Sequence, residues 1–323
     1  MRLFLPVLFV AGLAGAEGIP WTGDVKKTLD RARRDNLPVL IAINALDNEG
    51  GNMEMAFTRY KNKDLVAASR LLLCLVASPS DHSKKTCARF GSIQCKYHQE
   101  VLRYAVRRWA GPGGNLVSPQ HFILAPDGTV FWRKEYWAEA KTLQRQIEKA
   151  LVKYAPLRAL ELAGSTRAGQ MDKMRAGTLD PDQYLQSGDP LAAAALLLLY
   201  EEEEEAKWLK PLERAGKEAW RLVRIYLEED KALLPVAKAI DATRAAWWEK
   251  YHSNKPGAVP PPTDKKLAAA LKAFVGGDKK SLTVLLDAWS HPIHGAEVRA
   301  SLRAHAGEDY GREPDAWREA LAR

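Results

Sequence analysis

The sequence predicts an α/β domain followed by an all-α domain. Three observations carry this. Val39–Ile43 is a continuous apolar run rich in branched residues, and Leu71–Ala77 is a second apolar run; both have the pattern of strands covered on both faces. His121–Leu124 and Thr129–Trp132 flank Pro126-Asp127-Gly128, as the arms of a hairpin do. After about residue 155 the chain becomes rich in Ala, Leu, Glu and Lys and loses every strand pattern.

Taken in order, Arg2 and the apolar run Leu3–Ala14, closed by Ala14-Gly15-Ala16, have the form of a signal peptide over residues 1–16. The run is too short for a stable membrane span. Val25–Asn36 has helical spacing, with Val25, Leu29 and Ala32 on one face and Asp24 placed to cap it. The strand 39–43 follows, then the polar loop Asp47–Asn52, a helix beginning over Met53–Thr58 and the strand 71–77. Residues 99–110 read as a helix broken by Gly111-Pro112-Gly113-Gly114. After the hairpin, Ala138–Tyr154 is a helix carrying Leu143, Ile147 and Leu151 on one face.

The second half reads as helices only. Asp189-Pro190 opens one that runs to about Ala206. Others are expected over Pro211–Leu227, Ala232–His252, Lys265–Val275 and Lys279–Trp289, with a Pro-rich linker at Asn254–Thr263. The expected domains are therefore 17–155 and 156–323. Glu201–Glu205 reads as an exposed helix face rather than a metal site, and His291 and His294 as loop residues.

The chain carries a formal charge of +8, and removal of residues 1–16 leaves 47 basic and 40 acidic side chains. Basic pairs such as Arg33-Arg34, Lys84-Lys85, Arg107-Arg108 and Lys265-Lys266 are scattered, not striped, which argues against a nucleic-acid footprint. No serine nucleophile elbow, phosphate-cradling glycine loop or HExxH motif is present.

The stretch Asp81–His98 holds two of the three cysteines and two of the seven histidines. Cys74, within an apolar strand, reads as a buried small hydrophobe, leaving Cys87 and Cys95 as the natural pair. Three readings stand open for it. A structural disulfide suits an exported protein, and closing so short a loop contributes roughly 2–3 kcal/mol. A metal site uses His82, Cys87, Cys95 and His98, two sulfurs and two nitrogens that suit zinc or a soft copper ion. A redox pair draws on Lys84, Lys85, Lys96 and a helix start near Cys95 to activate a thiol.

The order helix, strand, helix, strand, helix, hairpin, helix over residues 19–154 resembles the thioredoxin fold. Asn36-Leu37-Pro38-Val39-Leu40-Ile41 looks like that family's second strand, and Asp127-Gly128 like the turn of its hairpin. Ser118-Pro119 ahead of Gln120 and His121 looks like its cis-proline. The resemblance implies that the family's C-x-x-C pair should lie between the strand 39–43 and its following helix. By spacing, Asp47 and Gly50 occupy those cysteine positions, so the redox loop is degenerate and thiol exchange there is excluded. The resemblance also implies that Asp47, the Asp81–His98 stretch and Pro119, Gln120 and His121 share the carboxyl end of the sheet. Thioredoxin-fold copper-delivery proteins use two cysteines and a histidine, with cysteines closer together than here. Val298–Arg303, Gly307–Gly311 and Trp317 resemble the end of a HEAT-type helical array.

These readings give an extracytoplasmic protein, periplasmic or secreted, without enzyme activity of its own. It has a Cys87–Cys95 disulfide, a helical domain that meets other extracytoplasmic proteins, no nucleic-acid partner and no membrane span after signal cleavage. No cofactor is certain. The alternative is a thiol-disulfide oxidoreductase or a zinc or copper carrier using Cys87, Cys95 and His98.

Overall fold

The computed structural model describes residues 18–44, 50–80, 87, 89–91, 93–111, 116–227, 230–252, 262, 264–289, 294–306, 310 and 314–322. The expected signal segment 1–16, Asp47, His82, Lys84, Lys85, His291 and most of the expected linker 254–263 lie outside the described residues.

The N-terminal part is built on a four-stranded mixed sheet, β1 (Val39–Ile43), β2 (Leu73–Ala77), β3 (Gln120–Leu124) and β4 (Val130–Glu135), in the order β2-β1-β3-β4. β1 pairs in parallel with β2, Ile43 beside Ala77, and antiparallel with β3, Ile43 beside Gln120. β3 and β4 form the hairpin expected around Asp127-Gly128. Every residue of β1, β2 and β3 is buried, as the unbroken apolar runs require, whereas β4 is a mostly exposed edge.

Alternation sorts the strand residues onto two faces. Val39, Ile41, Ile43, Leu73, Leu75, Phe122 and Leu124 pack with Ala32 of α1 (Val25–Asp35) and Val101 and Ala105 of α4 (Cys95–Trp109). Leu40, Ala42, Cys74, Val76 and His121 therefore point to the other face. Between β1 and β2 lie α2 (Gly50–Phe57), a single 3-10 turn at Arg59–Lys61 and α3 (Lys63–Ser69). α5 (Ala140–Tyr154) follows β4 and packs on α3 and β3.

Helices α6 (Pro156–Thr166), α7 (Ala168–Arg175), α8 (Pro181–Gln186) and α9 (Ala192–Glu203) continue the chain. The chain divides into compact units Met1–Val236 and Ala237–Arg323, so the change of composition at residue 155 falls inside the first unit, where α5 packs on α6. The single helix expected over Pro211–Leu227 is interrupted: it runs over Leu209–Leu212 and again over Trp220–Leu227. Gly216 between them has φ +72° and ψ 172°, a backbone conformation that suits glycine, and leads into the 3-10 turn Lys217–Ala219 ahead of Trp220. Ala232–His252 likewise splits into Leu234–Ile240 and Ala242–His252, with Asp241 accepting the Arg244 N–H at 3.1 Å.

Glu201–Glu205 is less free than the sequence suggests. Glu201 accepts from Tyr226 Oη at 2.6 Å, Glu202 pairs with Arg175, and Glu203 accepts from Arg175 and Trp208 Nε1, both at 2.8 Å. In the second unit Leu267, Phe274, Leu285, Trp289, Val298, Leu302 and Trp317 form one core. Among the described residues no helix is long and apolar enough to cross a membrane.

Candidate functional site

Where β2 ends, the chain is tied to the first turn of α4. The Ser78 N–H donates to the His98 carbonyl at 3.2 Å, and His98 Nδ1 lies 2.9 Å from the Ser78 carbonyl oxygen. A carbonyl only accepts, so Nδ1 carries the proton in the neutral ring and Nε2 keeps the lone pair. A hydrogen bond of this kind fixes tautomer and ring orientation for a ligating histidine. Cys95 is the first residue of α4, and Cys87 arrives from the preceding loop. The ligand atoms of Cys87, Cys95 and His98 all lie within 4.8 Å of one another. The three residues are 1%, 4% and 0% exposed.

The Cys87 loop is held by its own backbone. Cys87 N–H donates to the Ile93 carbonyl and Gly91 N–H to the Cys87 carbonyl, each at 2.7 Å. The turn needs Gly91 at φ +73°, which a side chain would strain. Cys87 Sγ accepts the Phe90 N–H at 3.3 Å and also the Arg89 N–H. Burial is the largest influence on the Cys87 thiol and pushes its pKa up; the two N–H donors pull it down, and the hydrogen-bonded Cys95 thiol raises it again. None of the three cysteines is joined in a disulfide in this structure.

Aromatic rings close the site. Phe90 meets His98 edge-on at 5.6 Å between centroids, and Trp21 meets Phe90 at 6.3 Å. Trp21 is placed by a bridge to Cys74 at the edge of β2. Arg89 Nη2 donates to Asn44 Oδ1 at 2.7 Å and so anchors the Cys87 loop to the end of β1.

The rim at β1 is polar but holds no thiol among the described residues. The Ser118–Pro119 bond is cis, and a Cβ at Gly51 would stand 3.5 Å from the Pro119 ring. Ser118 Oγ donates to Asn52 Oδ1 at 2.7 Å, and Asn44 Nδ2 to the Asn52 carbonyl at 2.9 Å. Gly50 opens α2 at this rim. Gln120, with its amide oxygen turned toward Arg133, accepts from that guanidinium at 2.9 Å.

His121 does not join the sulfurs. It is wholly buried, and its Nε2 meets Tyr60 Oη at 2.9 Å. Burial pushes its pKa down to about 4. Cys74 also stands apart: it is buried in β2 with Sγ 3.4 Å from the Ser69 carbonyl, on the face away from α4.

Of the four ligand candidates, three are thus brought together, and His82 lies outside the described residues. Sequence reasoning missed Ser78, Arg89 and Phe90, although the last two sit inside the stretch singled out for chemistry. It also missed Tyr60, for which only the later pairing with His121 gives a signal. Comparison with family models, curated proteins and solved structures gives no match to this chain.

Proposed function

We propose that the protein is an extracytoplasmic, thioredoxin-like binding protein that holds one soft metal ion through Cys87, Cys95 and His98, with monovalent copper as the ion. The observation that carries this reading is the convergence of two thiols and one imidazole in a buried cluster against the Phe90 ring. The donor set fits the ion: thiolate and imidazole select soft or borderline metals, and three donors satisfy monovalent copper, whereas zinc takes four. The backbone N–H bonds to Cys87 Sγ and the Ser78 bond to His98 Nδ1 pre-orient two of the ligands. The strand order and the cis Ser118–Pro119 bond support the thioredoxin-like reading. The degenerate loop at Asp47 and Gly50 turns that reading away from ordinary thiol exchange. The helical part, read as HEAT-like, serves as a surface for other extracytoplasmic proteins.

The test is a titration of reduced protein with monovalent copper held by a competing chelator. One ion per chain is expected. His98→Ala should weaken binding by about a hundredfold or more, and Cys87→Ser should abolish it, with circular dichroism unchanged. No bound copper, or His98→Ala binding as tightly as the parent, overturns the reading. A stoichiometric zinc ion bound in preference to copper discards copper as the ion.

A further inference from the structure

We propose that this centre is gated by thiol oxidation: Cys87 and Cys95 close into a disulfide in the ion-free protein, and only the dithiol form takes up the ion. The inference rests on the reading of the site as an ion-binding centre and adds its regulation. The two sulfurs lie within 4.8 Å of each other, so a short movement of either side chain brings them to bonding distance. Both are needed as thiolates to hold an ion, and the two-electron oxidation to a disulfide leaves no thiolate, so the two states exclude each other. The pairing is unique, because Cys74 lies on the opposite face of the sheet from α4, hydrogen-bonded to Ser69. Cys95 is the better entry point for an oxidant, being the more exposed of the pair.

The step balances with a small-molecule disulfide as oxidant. The Cys95 thiolate attacks it, forming a mixed disulfide and expelling one thiolate. The Cys87 thiolate then attacks Cys95 Sγ, forming the intramolecular bond and expelling the second. Two electrons pass to the reagent, and the two protons lost by the cysteines end on the two released thiols. When an ion is bound, its bonds to sulfur occupy the lone pairs that would attack, and oxidation stalls. Reduction by a dithiol reverses the step and reopens the centre.

The experiment uses the full chain and oxidised glutathione as the probe. Trypsin cuts after Arg89, between the two cysteines, so only a Cys87–Cys95 bridge leaves Thr86–Arg89 joined to Phe90–Lys96 in the mass spectrum. Ion-free protein should give the joined pair, and its copper affinity should fall at least a hundredfold and return with reductant. Protein loaded with monovalent copper should form the bridge at least tenfold more slowly. Oxidised protein that keeps its copper affinity, copper that gives no protection, or peptides that never join overturns the gating. Reduced protein that binds no copper instead overturns the ion-binding reading on which it stands, and the joined peptides are scored separately from that failure.

Discussion

Arg167→Met should destabilise the first unit by about 3–5 kcal/mol, the usual cost of leaving buried charges without their partner. Arg167 lies at the junction of α6 and α7. Its guanidinium donates to Asp189 at 2.7 and 2.9 Å and to Glu148 Oε1 at 2.9 Å. Glu148 is 1% exposed and its Oε2 accepts no hydrogen bond, so it has little water to fall back on. Burial pulls the Arg167 pKa down, but its bonds to Asp189 and Glu148 outweigh this and raise it; burial raises the Asp189 carboxyl, which Arg167, the Leu191 N–H and Tyr184 then bring below its usual range. Urea unfolding of Arg167→Met, Glu148→Gln and the double variant measures the coupling. The double variant should lose less than the sum of the singles. Additive losses would show that Arg167 and Glu148 do not act as a unit. Arg167→Lys should fall between, because an ammonium keeps the charge and loses the planar fork.

Acid should weaken the first unit through His121. In the fold its pKa is about 4, against about 6.5 in the unfolded chain, because burial disfavours the imidazolium. Between these values the unfolded chain takes a proton that the native state refuses. Stability from this group is therefore complete above about pH 6.5 and is lost as the pH falls toward 4, a change of about 3 kcal/mol. His121→Gln keeps a hydrogen-bonding group for Tyr60 Oη and removes the titration. Unfolding free energies taken from pH 7 to pH 4 should fall less steeply for this variant than for the parent. Parallel profiles would mean that the ring is already charged in the native state or reaches water.

The two stability effects differ in how visible they are in the sequence. His121 could be singled out because it sits two residues after Pro119, but its partner Tyr60 is 61 positions away and comes from a turn with no distinctive pattern. Asp189-Pro190 reads as a helix start, and Asp189 does accept the Leu191 N–H. Nothing local shows that its carboxylate also holds Arg167, 22 residues earlier. Long-range polar pairs of this kind leave no periodic trace.

The sheet, by contrast, is legible, because uninterrupted burial and a tight turn write themselves into neighbouring residues. β1 matches the expected run 39–43 end for end, whereas β2 starts two residues later than the apolar run, at Leu73. α4 begins at Cys95, ahead of the apolar spacing that marks it from residue 99, because its first turn faces the Cys87 loop and Ser78 rather than the sheet core. That early start is what carries Cys95 and His98 onto one turn. The helices between residues 156 and 186 were not marked individually, since Ala- and Leu-rich stretches give little alternation by which to divide them.

Cys74 offers something practical. The residue is 0% exposed within β2, and burial raises its pKa far above that of a free thiol. A brief pulse of alkylating reagent should therefore label it only when the strands separate, whatever the state of the other two cysteines. In a Cys87→Ser, Cys95→Ser background, the rate of that labelling becomes a clock for opening of the whole sheet, read one chain at a time by mass.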